Sequence, residues 1–111
     1  MNNINNIFSS LRYPIRVSIL QLMKDNLDSR QSIPKDSDNI FGFCPEDILM
    51  ILNESGYDLT YSKLSYHLKE MRENKILSFK TEGKRRFYKI NVHEFERLIQ
   101  WADEFRNINK V

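Results

Sequence analysis

The chain has 111 residues, of which 41% are hydrophobic and 29% charged, and its net charge is +2. This length fits one domain that buries its core without metals or disulfides, and a single cysteine excludes an intramolecular disulfide. No apolar run approaches the roughly 20 residues of a membrane span, and the start MNNINNIFSS lacks the features of a signal peptide, so we expect a cytoplasmic protein.

The first two predicted elements are helices separated by a proline. Within residues 1–12, apolar side chains recur at three- and four-residue spacing, which is typical of one face of an α-helix. These side chains are Ile4, Ile7, Phe8 and Leu11. Pro14 disfavours helix at Tyr13 and suits the first turn of a second helix. The inward positions of that second helix are Ile15, Ile19, Leu22 and Met23, with Leu20 widening the stripe.

Residues 25–43 predict a long inserted loop. The segment is polar, contains Pro34 and Gly42, and shows no sustained apolar period. Connections of this length inside a small domain are uncommon and are often functional. We favour a tolerated surface insertion, since surface loops accept extra residues readily. A small molecule or a protein that acts as an effector is the alternative use of this segment.

Residues 45–75 have the pattern of two helices joined by a turn. Pro45 opens the first helix, with Cys44 near its N-cap, and Gly56 ends it. Thr60 is a suitable N-cap for the second helix, because its hydroxyl can accept a hydrogen bond from an unpaired amide. The predicted inward positions are Ile48, Leu49, Ile51 and Leu52 in the first helix, and Tyr61, Leu64, Leu68 and Met71 in the second. The segment is therefore predicted to be a helix-turn-helix.

The outer face of the second helix carries hydroxyls, an aromatic ring and lysines. Such groups can hydrogen-bond base edges and phosphates in a major groove that is wide enough for a helix. The predicted DNA-binding residues of this helix are Thr60, Ser62, Lys63, Ser65, Tyr66 and Lys69. We expect Ser62, Lys63, Ser65 and Tyr66 to approach bases, and Lys69 mainly to bind phosphate.

Residues 76–90 change from helical to alternating periodicity, which predicts a β-hairpin. Leu77 and Phe79 point one way, and Tyr88 and Ile90 repeat the pattern after a turn. The predicted tip is Glu82 to Arg85, with Gly83 supplying positive φ. The DNA-binding cations predicted for this hairpin are Lys80, Lys84, Arg85 and Arg86. Residues 60–90 hold nine Lys or Arg against three Asp or Glu, a net charge of +6 that suits phosphate binding.

A final helix is predicted over residues 92–108, with Asn91 as its cap. Together with residues 1–12 it carries more large apolar side chains than one small core needs. Exposed apolar patches of that extent are rare on monomers, so we expect a symmetric dimer interface. The residues predicted for it are Ile4, Ile7, Phe8, Leu11, Phe95, Leu98, Ile99, Trp101, Ala102 and Phe105.

These elements predict a mainly α fold with a two-stranded β-hairpin: a winged helix-turn-helix with extra N- and C-terminal helices. The run Leu64 to Leu77, followed by a basic turn with Gly83, resembles the recognition helix and wing of ArsR-type repressors. Residues 12–16 resemble the same family's first core helix, and His67 coincides with a histidine of its motif. The resemblance implies a dimeric transcription regulator that binds double-stranded DNA. The chain departs from the family at Lys75, where glycine is frequent, and in its insertion.

Control by metal or by oxidation is the first alternative. ArsR-type proteins often sense metals through cysteine pairs or sets of His, Asp and Glu. This chain offers one cysteine, Cys44, and two histidines, His67 and His93, as such ligands. Only His93, Glu94 and Glu96 cluster near the last helix, a thin ligand set for a tetrahedral ion. We therefore expect no metal site and no cofactor. A lone cysteine before proline is usually a small hydrophobe, although its oxidation stays open.

A protein adaptor or anti-repressor is the second alternative. Glu70 and Glu73 lie on the outer face of the predicted recognition helix, where they would repel phosphate and suit a protein partner. Enzymatic chemistry is not expected. The sequence has no glycine-rich phosphate loop, no nucleophile with an evident base and no carboxylate pair.

Overall fold

The computed structural model describes residues 4–26, 42–106 and 108. Within these residues, five helices and one antiparallel hairpin follow each other, and this confirms the predicted mainly α class with a winged helix-turn-helix. The elements are α1 (Ile4–Leu11), α2 (Pro14–Asp25), α3 (Pro45–Glu54), α4 (Tyr61–Glu73), β1 (Leu77–Glu82), β2 (Arg85–Ile90) and α5 (Val92–Arg106). Most of the predicted insertion, residues 27–41, lies outside the described residues. Asp25 closes α2, so helix extends into the first position assigned to the loop.

The core lies where α2, α3 and α4 meet the hairpin. Fully buried aliphatic side chains come from each of these elements, and each contributes roughly 1.5–3 kcal/mol by leaving water. They include Ile7, Ile19, Met23, Ile48, Leu52, Leu64, Leu68, Met71, Ile76 and Leu77. The inward positions predicted for α2, α3 and α4 are mostly confirmed. Tyr61 is the exception, since its side chain is 46% exposed and not in the core.

Both helices of the helix-turn-helix end in the same way. After α3, Gly56 has φ of +103°, and after α4, Lys75 has φ of +69°. The amide of Ile76 donates to the carbonyl of Met71 at 2.9 Å, and that of Lys75 donates to Arg72 at 2.9 Å. This pair of bonds is a Schellman motif, which satisfies the last carbonyls of the helix. It turns the chain from α4 directly into β1.

The hairpin has the predicted turn and one partner that was not predicted. Glu82 pairs with Arg85, so Gly83 and Lys84 form a two-residue loop, and Gly83 has φ of +63°. Only the first loop residue has positive φ, as a type II′ turn requires. Phe43 pairs with Tyr88 on the free edge of β2, through hydrogen bonds of 2.7 and 2.8 Å. The last position of the predicted loop therefore forms an isolated β-bridge to the wing.

The face of β2 opposite Tyr88 is covered by the same short segment. Phe87 and Cys44 are both buried and form a second small cluster. A Cβ on Gly42 would lie 2.7 Å from the Cβ of Phe87, so glycine is needed for this close approach. Phe43 and Cys44 thereby lie against Tyr88 and Phe87 and place the N-terminus of α3 beside the wing.

The two terminal helices pack against each other and leave a partly apolar surface. Phe8 of α1 meets Trp101 of α5 at a ring-centroid distance of 5.3 Å, and Trp101 meets Phe105 at 5.0 Å. Asn91 directly precedes α5, and its side-chain amide donates to the carbonyl of Lys75 at 2.8 Å. Within the described residues, no helix is long and apolar enough to cross a membrane.

Candidate nucleic-acid interface

The outer face of α4 displays most of the polar side chains predicted to contact DNA. Thr60 caps the helix by accepting a hydrogen bond from the amide of Lys63 at 3.2 Å. Ser65 is half-buried, whereas the exposed side chains are Thr60, Ser62, Lys63, Tyr66 and Lys69. Tyr66 is 54% exposed, with its ring against His67 at 5.5 Å. The helix therefore offers hydroxyl and ammonium groups along its first two and a half turns.

A buried arginine supports this helix from behind. Arg16 of α2 is only 2% exposed, and its Nε donates to Nδ1 of His67 at 3.0 Å. One Nη atom donates to the Ser10 hydroxyl at 3.4 Å, and the guanidinium lies 4.2 Å from the centre of the Tyr13 ring. Its other Nη has no hydrogen-bond partner among the described residues. Arg16 thus connects α1 and α2 to α4 next to Tyr66, whose side chain projects to the outside of the protein.

Sequence reasoning did not assign Arg16 a role of its own. Its spacing to Ile19 and Met23 is three and seven residues, which places it on the inward stripe of α2. An arginine on such a stripe must find hydrogen-bond acceptors or aromatic faces inside the protein. That signal was present in the sequence, but the acceptor, His67, lies 51 residues away. Its pairing could not be read from local periodicity.

The four cations predicted for the wing differ in their surroundings. Lys80 lies 3.8 Å from the Glu82 carboxylate. Arg85 donates from one Nη to the Cys44 sulfur at 3.0 Å. Arg86 lies over the Phe79 ring at 4.8 Å, and Lys84 is exposed at the turn. Lys84 and Arg86 are therefore better placed than Lys80 to bind an external anion.

A cleft of about 500 Å³ separates α4 from the tip of the wing. The start of α3 closes one side of it, through Pro45 and Glu46. The cations that line it are Lys69, Arg72, Lys84, Arg85 and Arg86. Arg72 was not among the predicted DNA-binding residues, because the helical wheel placed it on the flank of α4. The fold of the wing back onto this flank brings Arg72 to the same cleft as the wing cations.

Cys44 is enclosed and hydrogen-bonded. Its side chain is fully buried, and its sulfur donates to Oδ2 of Asp47 at 3.1 Å. Burial is the main cause that raises the pKa of the Cys44 thiol above its ordinary value, against a smaller opposing effect of the Asp47 backbone amide and a still smaller one of Arg85. The thiolate is the form that oxidants attack. These surroundings make Cys44 a poor redox sensor.

The histidines and acids considered for metal binding do not converge. Nδ1 of His93 lies 3.3 Å from Glu96, and both side chains are largely exposed. Glu94 is buried and instead pairs with Arg97 at 3.2 Å. Across residues 4–26, 42–106 and 108, no three His, Cys, Asp or Glu side chains form a group that could hold a metal ion.

The residues predicted for a dimer interface fall into two groups. Ile4 and Ile7 are buried within the single chain, and Leu11, Phe95 and Leu98 pack partly against its core. The second group is exposed and consists of Phe8, Ile99, Trp101, Ala102 and Phe105. This second group offers the more exposed surface to another molecule. Phe8, Trp101 and Phe105 lie together, because α1 and α5 are in contact through Phe8 and Trp101, whereas Ile99 lies on another face of α5.

The chain is similar to the crystal structure of an ArsR family transcriptional regulator, with a TM-score of 0.73 over 99% of each chain. Its fold is the ArsR-type winged helix. The two sequences are 14% identical, so the likeness concerns the fold, and a shared fold does not by itself establish a shared function. No protein-family model and no curated protein matches the sequence. The ArsR-type fold agrees with the resemblance found in residues 64–77 and the basic turn.

Proposed function

We propose that the protein is a transcription regulator that binds double-stranded DNA in a sequence-specific manner and acts as a homodimeric repressor in the cytoplasm. The observation that carries the proposal is the exposed polar face of α4 beside a basic hairpin. α4 fits a major groove about 12 Å wide, where hydroxyl, amide and ammonium groups can meet base edges. Ser62, Lys63, Ser65 and Tyr66 would approach bases, and Lys69 would bind phosphate. A winged helix-turn-helix needs no further element for this purpose.

The wing would bind the sugar-phosphate backbone. Lys84 and Arg86 have no carboxylate within ion-pair distance among the described residues. Each phosphate that such a cation neutralises releases counterions, which makes binding favourable and strongly dependent on salt. Lys80 and Arg85 would contribute less, because each already has an intramolecular partner.

Dimerisation would use the exposed apolar side chains of α1 and α5. Phe8, Trp101 and Phe105 form a ladder of edge-to-face ring contacts, and Ile99, on another face of α5, is 62% exposed. A twofold interface of this kind would place two α4 helices on an inverted repeat, with half-sites about one helical turn apart. A footprint that covers a single half-site would contradict the dimer.

Salt-dependent binding to a duplex tests the DNA proposal against the adaptor hypothesis. Fluorescence anisotropy with a labelled duplex of random sequence should show affinity falling by orders of magnitude between low and physiological salt, as expected for several phosphate contacts. Selection from a random library should then yield an inverted repeat. Failure to bind any duplex at low salt would contradict DNA binding and favour a protein partner that meets Glu70 and Glu73.

We also propose that no metal ion controls DNA binding. The support is the exposed, two-membered His93–Glu96 pair, which lacks the third and fourth ligands of a closed zinc site. Titration of the DNA complex with zinc, and then with a chelator, should leave its affinity unchanged. Release of DNA by micromolar zinc, reversed by the chelator, would contradict this and implicate His93. If neither zinc nor the chelator changes DNA binding, an effector should be sought at residues 25–43.

A further inference from the structure

The cleft between α4 and the wing carries a concentration of positive charge that the fold does not neutralise. Five cations line it against one carboxylate, that of Glu46. None of the five forms an ion pair in the described part of the chain. Like charges held this close repel each other, and an anion bound between them would relieve that repulsion.

Two of the arginines are fixed in position by one aromatic ring. The guanidinium of Arg72 lies 5.2 Å from the centre of the Phe79 ring, and that of Arg86 lies 4.8 Å from it. Nε of Arg72 is buried and has no hydrogen-bond partner among the described residues. Stacked guanidinium groups lose little conformational freedom when they bind an anion, and their fork geometry matches phosphate.

The size of the cleft points to a ligand larger than one backbone phosphate. Its volume of about 500 Å³ is within the range of pockets that hold small molecules. A single phosphodiester group fills only a small part of this volume. Leu68 and Tyr88 supply apolar lining, and Ser65 supplies a hydroxyl.

We propose that this cleft binds a free phosphorylated small molecule and that the bound molecule displaces DNA. Its phosphate groups pair with Arg72 and Arg86, and Lys69 and Lys84 neutralise the remaining charge. The displacement rests on the proposed function, because the DNA backbone must pass between α4 and the wing. The ligand and the DNA backbone then compete for Lys69, Lys84 and Arg86. Arg72 lies on the flank of α4 and would therefore bind the ligand without being one of the predicted DNA contacts.

Pyrophosphate is a suitable probe, because it carries the charge without a base or sugar. Isothermal titration of the purified full-length protein, without DNA, should give a measurable Kd. Arg72→Gln should raise that Kd at least tenfold, while Lys24→Gln, which removes the same charge from exposed surface on α2, should leave it unchanged. Arg86→Gln is a second test and should also raise it, so the result does not depend on the packing of Arg72 alone. Equal Kd values for the Arg72 and Lys24 variants would overturn the proposal.

A competition experiment tests the displacement. At ionic strength held constant with sodium chloride, saturating pyrophosphate should raise the Kd for a duplex, and unchanged DNA affinity would overturn the regulatory part. If the protein binds duplex but not pyrophosphate at millimolar concentration, the cleft accepts only backbone phosphate: this proposal fails and DNA binding stands. If it binds neither, both proposals fail.

Discussion

At the scale of single residues, the contact between Arg16 and His67 determines how α4 is held. The imidazole accepts from the guanidinium through Nδ1, so it must be neutral with its proton on Nε2. Burial of the ring, followed by the charge of Arg16, lowers the pKa of His67 below its ordinary value of 6.5. Protonation would remove the acceptor and place two positive groups together. The support of Tyr66 and its neighbours thus depends on a neutral histidine.

The lowered pKa of His67 predicts a loss of stability in mild acid. The unfolded chain binds the proton more readily than the folded one, so this contribution is complete above about pH 6.5 and decreases as the pH falls towards the folded pKa. The free energy of unfolding in urea, measured between pH 7.5 and 5, should fall more steeply for the wild type than for His67→Gln. His93→Gln, which changes an exposed histidine, is the control and should keep the wild-type slope. Parallel curves for wild type and His67→Gln would contradict the prediction.

Lys75 is the second residue at which local physics predicts a measurable effect. Its φ of +69° is costly for a side chain with a Cβ, and the Schellman motif normally has glycine there. Lys75→Gly should increase the free energy of unfolding by about 0.5–1 kcal/mol, since relief of strain exceeds the added freedom of the unfolded chain. Lys75→Ala keeps the Cβ and should give no comparable gain. A destabilised glycine variant would show that the Lys75 side chain contributes contacts that outweigh the strain.

At the scale of elements, α4 and the wing should divide the work of DNA binding. Tyr66→Ala should change the ratio of affinities for operator and random duplex, because the residue would face bases. Arg86→Ala should weaken binding to both duplexes alike and reduce the slope of log K against log salt by about one. Anisotropy titrations at four salt concentrations measure both quantities. Equal effects of the two substitutions on the affinity ratio would contradict this division.

The elements with a strong period were the ones that the sequence could predict. In α2, α3 and α4 the apolar spacing identified the buried stripe, and Gly83 located the hairpin turn. Tyr61 was assigned wrongly because a helical wheel treats all turns alike, whereas the first turn of α4 extends past the core beside the cleft. The bridge between Phe43 and Tyr88 was missed because a single bridge has no periodicity. Its pairing with Tyr88 is set by the tertiary fold.

The candidate site, like the fold, could be predicted from the sequence only in part. The polar face of α4 follows from local spacing, and so do the cations of the wing. The cleft between them does not, because it depends on how the Schellman turn at Lys75 folds β1 back along α4. Arg72 therefore joins the wing cations only in three dimensions. The insertion before Phe43 lies mainly outside the described residues, and its role stays a prediction.

At the scale of the whole molecule, α5 is the element least explained by a single chain. Apart from Glu94, each of its residues assigned a burial class is exposed or only partly buried. Large apolar side chains nevertheless occupy one side of its C-terminal half, and their ring ladder continues onto α1 through Phe8. Burial of such a surface against a second copy would stabilise the assembly by roughly 25 cal/mol for each Å² of apolar area removed from water. A dimer would also double the number of cations presented to DNA.

A charge placed within this surface should therefore dissociate the dimer. Phe105→Asp introduces a carboxylate beside Trp101, and removing that charge from water in an apolar interface costs more free energy than the remaining contacts supply. Light scattering after size exclusion should give the dimer mass for the wild type and the monomer mass of about 13.3 kDa for the variant. Gln100→Asp introduces the same carboxylate on a different face of α5 and should remain dimeric.

Circular dichroism should be unaltered in both variants, because Phe105 is 52% exposed in the single chain. The Phe105 variant should also lose affinity for an inverted repeat while it keeps weak, salt-dependent binding to a single half-site. A dimer that survives Phe105→Asp would place the interface elsewhere on the protein.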